Sequence, residues 1–152
     1  AGGAININAG TFEIGGSGRI KSTSAATGVF ANAINNEGVF KHNSTLDQTV
    51  SGVIGGTGAV VKDNTGTLTL SAANTYSGGT TVDGSTLKLT GSGRIGNGGL
   101  TVNNGGTFSI ANDDFNSLGG AITVNEGGTL STDSTGGGNA RNKGLYNRFW
   151  KS

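Results

Sequence analysis

The chain has 152 residues, of which 31 are Gly and none is Pro or Cys, and it carries 12% charged residues with a formal net charge of +1. That length suits one domain with one elongated core, and the missing Pro and absent three-residue Gly period exclude collagen. Low charge argues against charge-driven disorder, zero Cys removes disulfides and thiolate metal or redox sites, and near-neutrality gives no electrostatic reason to bind nucleic acid.

The chain opens at Ala1 without a signal-peptide pattern, as a mature product or an excerpt of a longer protein does. Short strands of alternating apolar and polar residues then follow one another between corners rich in Gly, Asn, Asp and Ser. This points to an all-β fold. Six strands share a pattern: a small residue, usually Thr, then Leu or Phe, any residue, and a second inward slot. They are Gly10-Thr11-Phe12-Glu13-Ile14, Gly38-Val39-Phe40-Lys41-His42, Gly66-Thr67-Leu68-Thr69-Leu70, Ser85-Thr86-Leu87-Lys88-Leu89, Gly106-Thr107-Phe108-Ser109-Ile110 and Gly128-Thr129-Leu130-Ser131-Thr132. The central residues Phe12, Phe40, Leu68, Leu87, Phe108 and Leu130 lie 28, 28, 19, 21 and 22 residues apart. Such spacing suits one coil of a solenoid per repeat, with the length differences absorbed in loops. Alternation places these six, together with Ile14, Leu70, Leu89 and Ile110, on the inner face as the expected core.

A second short strand precedes most repeats: Ile5-Asn6-Ile7, Ala59-Val60-Val61, Thr80-Thr81-Val82, Leu100-Thr101-Val102 and Ile122-Thr123-Val124, with Ala33-Ile34 the weakest match. A third is expected at Arg19-Ile20, Val53-Ile54, Arg94-Ile95 and between Phe115 and Leu118. Three strands per coil predict a triangular parallel β-solenoid of about six rungs over residues 1–133, about 30 Å long. A β-sandwich or a barrel has similar strand spacing, but the stacked Phe and Leu column favours the solenoid. No run of about 18 apolar residues is present, so no transmembrane helix is expected.

The most distinctive stretch is Gly55–Leu89. It contains Gly56-Thr57-Gly58, Val60-Val61-Lys62, Gly66-Thr67-Leu68-Thr69-Leu70, Asn74-Thr75-Tyr76-Ser77-Gly78-Gly79-Thr80-Thr81-Val82 and Ser85-Thr86-Leu87-Lys88-Leu89. In that order these segments closely resemble the autotransporter-associated β-strand repeat of bacterial autotransporter passenger domains. The resemblance implies a right-handed parallel β-helix on a secreted or surface-displayed protein, extracellular or on the bacterial cell surface. It covers about a quarter of the chain, and the other repeats carry only the general solenoid pattern. No strands of a translocator barrel follow Thr132, so the resemblance implies a fragment, or the motif at work elsewhere.

The end of the chain departs from this pattern. Residues 134–140 read as a Gly-rich linker, and residues 141–152 as a short non-solenoid tail. Residues 1–140 hold 6 basic and 9 acidic side chains, whereas the tail holds Arg141, Lys143, Arg148 and Lys151 and no acid. On a helix Leu145 pairs with Phe149 and Tyr146 with Trp150, with Arg148 off that stripe. Leu145, Tyr146, Arg148, Phe149 and Trp150 are therefore the expected docking residues, or else a cap over the solenoid end or a passive terminus.

Reactive chemistry is sparse. A β-helix glycosidase or lyase needs two carboxylates within about 5–10 Å of each other. The column outside the expected core reads Glu13, Lys41, Thr69, Lys88, Ser109, Ser131 and offers no such pair. Asp113-Asp114 are adjacent but suit turn chemistry. His42, the single histidine, falls in an inward slot and suits a boundary residue better than a catalyst. No zinc-ligand spacing, calcium-binding nonapeptide or phosphate loop occurs, so no catalytic, cofactor or metal residue is assigned. A Thr array on one flat face is met only by Thr67 and Thr69. Asn6, Asn8, Asn35, Asn36, Asn103, Asn104 and Asn125 stand by corners where stacked amides bond along the axis. The expected function is a non-enzymatic extracellular stalk or surface element, adhesive or self-associating. The expected partners are a host surface or polysaccharide, or further copies joined end to end through open strand edges. A homopolymeric filament and a polysaccharide-degrading enzyme remain the alternatives.

Overall fold

A computed structural model of the chain describes residues 2–111 and 118–132. The linker and tail, with Leu145, Tyr146, Arg148, Phe149 and Trp150, lie outside the described residues, as do Asp113, Asp114 and Phe115. The strands follow one another coil by coil. They comprise β1 (Ile5–Ile7), β2 (Thr11–Gly16) and β3 (Val29–Phe30); then β4 (Ile34–Asn36), β5 (Val39–Ser44) and β6 (Gln48–Val50); then β7 (Ile54–Gly55), β8 (Ala59–Lys62) and β9 (Leu68–Leu70). The later coils are β10 (Thr80–Val82) with β11 (Ser85–Leu89), β12 (Leu100–Val102) with β13 (Gly106–Ile110), and β14 (Ile122–Val124) with β15 (Thr129–Thr132).

Strands of successive coils pair in parallel. Sheet B runs β2-β5-β8-β10-β12-β14, sheet C runs β3-β6-β9-β11-β13-β15, and sheet A holds only β1-β4-β7. Among the described residues there is no helix. The result is an all-β parallel solenoid of about five turns from first strand to last. Period-2 alternation sends one set of side chains inward from each strand. Sheet C contributes Leu68, Leu87, Phe108 and Leu130 in one column and Leu70, Leu89 and Ile110 in the next. All seven are buried. Sheet B contributes the column Phe12, Phe40, Val60, Thr80, Leu100, Ile122.

Phe12 and Phe40 therefore do not stand above Leu68, which corrects the single column expected from the shared motif. The two rings stack with centroids 6.0 Å apart and planes 8° apart, and Phe40 is followed by Val60 in the next coil. Phe40 and Ile14 are buried, while Phe12, on the first strand of its sheet, is only partly so. The motif repeats on two sides of the coil because an inward-facing strand after a Gly corner looks alike wherever it lies. The true period is 20 residues, as from Phe40 to Val60, Thr80 and Leu100. The first coil is the longest, with 28 residues between Phe12 and Phe40, and the last step, from Leu100 to Ile122, takes 22.

That period is marked by Gly38, Gly58, Gly78 and Gly98 at the corner leading into sheet B. A Cβ on Gly58, Gly78 or Gly98 would lie 2.3 Å from the carbonyl oxygen of the glycine one coil earlier. Any side chain there holds the coils apart.

Among the described residues the third side is a sheet only over the first three coils, contrary to the expectation of three strands in every rung. On that side Arg94 meets Ala73 in a single isolated bridge, while Arg19-Ile20 forms no strand and lies instead against Asp47 and Gln48 at the start of sheet C. Buried side-chain amides take the place of the ladder at both positions. Gln48 accepts from the Ile20 N–H at 2.9 Å and donates to the Ile20 carbonyl at 3.0 Å. Asn74 accepts from the Ile54 N–H at 2.8 Å and donates to the Arg94 carbonyl at 2.7 Å. A primary amide carries the same donor and acceptor as a peptide group, so it continues the bonding across a gap where strands part.

Candidate functional site

Two basic side chains point into the solenoid. In sheet B the second inward column reads Ile14, His42, Lys62, Val82, Val102, Val124, and both His42 and Lys62 are fully buried. The Lys62 ammonium donates to the Asp63 carbonyl, to the Asn64 carbonyl at 3.0 Å and to the Gly84 carbonyl at 3.5 Å. Burial lowers its pKa to about 8, against the pull of the Asp63 and Asp47 carboxylates. Neither ring nitrogen of His42 has a hydrogen-bond partner. Burial first, and the neighbouring Lys62 charge second, lower its pKa to about 4, outweighing the Leu46 backbone and Asp47. Both groups are enclosed, so neither can reach a substrate from solvent.

On the outside, polar side chains are tied along the axis. Asn103 donates to Asp83 at 2.6 Å and Asn125 to Asn103 at 2.7 Å. Asn35 donates to Asn6 at 2.7 Å and Asn43 to Glu13 at 2.8 Å. Lys41 pairs with Asp63 at 3.6 Å. Asn36, by contrast, is buried, donating to the Ala59 carbonyl at 2.8 Å and accepting from the Gly38 N–H at 3.2 Å. The expected outward column splits as the inner one does: Glu13 and Lys41 continue into Val61 and Thr81, while Thr49, Thr69, Lys88, Ser109 and Ser131 form their own line on sheet C. Beside that line Thr86, Thr107 and Thr129 stack in register, a longer hydroxyl row than the Thr67–Thr69 pair. Among the described residues no group of three or more His, Asp or Glu is placed to hold a metal ion.

The most elaborate corner is Asn74–Gly79. Besides the Asn74 bridge, the buried Tyr76 hydroxyl shares a hydrogen bond of 2.7 Å with the Thr80 hydroxyl. Burial pushes the phenol up to about 12, although Thr80 and the Gly96 backbone pull the other way. Next to it a cleft of about 280 Å³ is lined by Asn74, Thr75, Arg94, Ile95, Asn97 and Gly119. Tyr76→Phe leaves the buried Thr80 hydroxyl without this partner. An expected loss of about 1–2 kcal/mol is read as a lower urea midpoint with unchanged slope.

This corner sits in the stretch that known proteins share. Residues 60–89 match the passenger-associated-transport-repeat family. The chain carries an autotransporter passenger repeat. Over 103 residues it is also 38% identical to the "Adhesin BmaC autotransporter" of Brucella suis biovar 1 (strain 1330). That alignment takes in 68% of this chain and 2% of the relative, so the chain spans a small fraction of the relative's length. No solved structure matches the chain. The passenger repeat belongs outside the cell or on the bacterial surface. No helix among the described residues is long and apolar enough to cross a membrane.

Within the passenger repeat the side chains serve geometry. Leu68, Leu70, Leu87 and Leu89 fill the interior, Asn74 and Tyr76 close the third side, and Gly78 lets its coil approach the preceding one. Sequence reasoning missed the inward Lys62. Its signal was the alternation Val60-Val61-Lys62, which turns Lys62 to the same face as Val60, a face where charge is unexpected.

Proposed function

We propose that the chain is a non-enzymatic, surface-exposed solenoid segment that holds adhesive outward faces at a fixed spacing. The observation that carries this reading is the register itself. Apolar columns fill the inside, while amides and carboxylates on the outside are bonded to their neighbours along the axis rather than converging on a point. The relative named as an adhesin supports adhesion as the role, with a host surface or a polysaccharide as the partner.

The test is display of residues 1–152 on a non-adherent bacterial carrier, with binding to host-cell monolayers and to immobilised polysaccharides compared with the bare carrier. Retention above the bare carrier is expected, without release of new reducing ends from the polysaccharide. Display at full level with no gain in retention, or measurable polysaccharide cleavage, overturns the reading.

A further inference from the structure

His42 and Lys62 occupy consecutive positions of one inward column, at the second and third coils. Facing coils are spaced about 4.8 Å apart in a parallel ladder, so two cations there stand within strong repulsion distance in a medium poor in water. The later coils place Val82, Val102 and Val124 in the same column. Nothing about the backbone therefore requires a polar group at this position.

The surroundings offer no compensation for a second charge. The element on one side, β2, brings Ile14, and the other, β8, brings Lys62. From the β5–β6 turn come the Leu46 backbone and the Asp47 carboxylate. Asp47 is exposed, and its Oδ1 accepts from the Thr67 N–H at 2.8 Å. On sheet C, Gln48 is occupied by backbone partners at Ile20, Gly28 and Thr49. The carboxylate of Asp63, next to Lys62, pairs outward with Lys41. No carboxylate hydrogen-bonds the imidazole.

We propose that the His42–Lys62 step is an acid-sensitive joint, at which protonating His42 places like charges at consecutive inward positions and opens coils two and three while coils from β11 onward stay closed. A stack in which each coil touches only its neighbours permits such partial opening. The sign follows from proton binding. The unfolded chain takes up its imidazole proton near 6.5, the folded chain only near 4, so the folded state loses stability as pH falls through that interval. The full difference corresponds to a loss of up to about 300-fold in the closing equilibrium.

Because His42 is the single histidine, its imidazole resonances in the native 152-residue protein report the site directly. They are expected to stay in the neutral form down to about pH 4; a midpoint near 6.5 overturns the proposal. Lys62→Met is expected to raise that midpoint, and an unmoved midpoint removes the like-charge step. Hydrogen-exchange protection factors, compared between neutral and acidic pH, are expected to fall in β5 and β8 and to hold in β11 and β13. His42→Val, which repeats the residue of the later coils, is expected to abolish the fall. An equal fall in all coils, or the same fall in His42→Val, overturns the proposal.

Discussion

Gly78→Ala lowers the stability of the solenoid by about 3 kcal/mol, seen as an earlier urea midpoint and as lost amide protection at Gly78 and Ser77. The added Cβ would lie 2.3 Å from the Gly58 carbonyl oxygen, 2.5 Å from its carbon and 2.8 Å from the Ala59 nitrogen. All three are backbone atoms, so no rotamer change relieves the contact. The Gly78 N–H bonds that same carbonyl at 3.1 Å, and the Ser77 N–H bonds the Gly56 carbonyl at 2.9 Å. Moving the coil away to admit the methyl stretches both. The neighbouring Gly79→Ala is the control: its nearest obstacle, the Gly98 carbonyl oxygen, is 3.7 Å away, an ordinary contact, and it is expected to change stability by no more than about 0.5 kcal/mol. Equal effects at the two positions would remove steric approach as the reason for Gly78.

Asn74→Ala is expected to cost about 3 kcal/mol, because it strands two backbone groups at once. The Ile54 N–H loses its acceptor and the Arg94 carbonyl loses a donor. Asn74 is itself buried, so water does not readily replace the amide. The loss is read from the denaturant midpoint and from faster exchange of the Ile54 amide, which the intact protein shields. Asn97→Ala, on the exposed rim of the same cleft, is expected to stay near neutral. Parity between the two would mean that the Asn74 bridge contributes little.

These two residues also show what a linear reading catches. The Gly and Asn punctuation pointed to corners, and period-2 alternation turned Leu68, Leu70, Leu87 and Leu89 inward, where they are buried. Which strand stands over which was harder. Phe12 and Phe40 look like Leu68 in their local motif, yet they lie on another side, because alternation reports the face of a strand and not the side of the coil. The 20-residue glycine series settles the register, and the longer first coil hides it at the start of the chain. Asn74 and Gln48 were illegible as ladder surrogates, since an amide becomes one only when strands on either side of it diverge. His42 looked like a boundary residue; both its ring nitrogens are enclosed instead. A charged Lys62 in an inward slot contradicts the rule that exposes lysines.

The described coils are not all held alike. Among the described residues the first three coils pair as a ladder on the third side, whereas the fourth and fifth are joined there by the Asn74 amide, one isolated bridge and single backbone bonds from Thr75, Ser77 and Arg94. Tension that reaches these coils from the C-terminal side therefore meets the turns without a third ladder before the tripled ladder near β1. Each detached 20-residue turn frees about 65 Å of extended chain in exchange for about 5 Å of stack. A segment of this kind lengthens under load in regular increments rather than in one event.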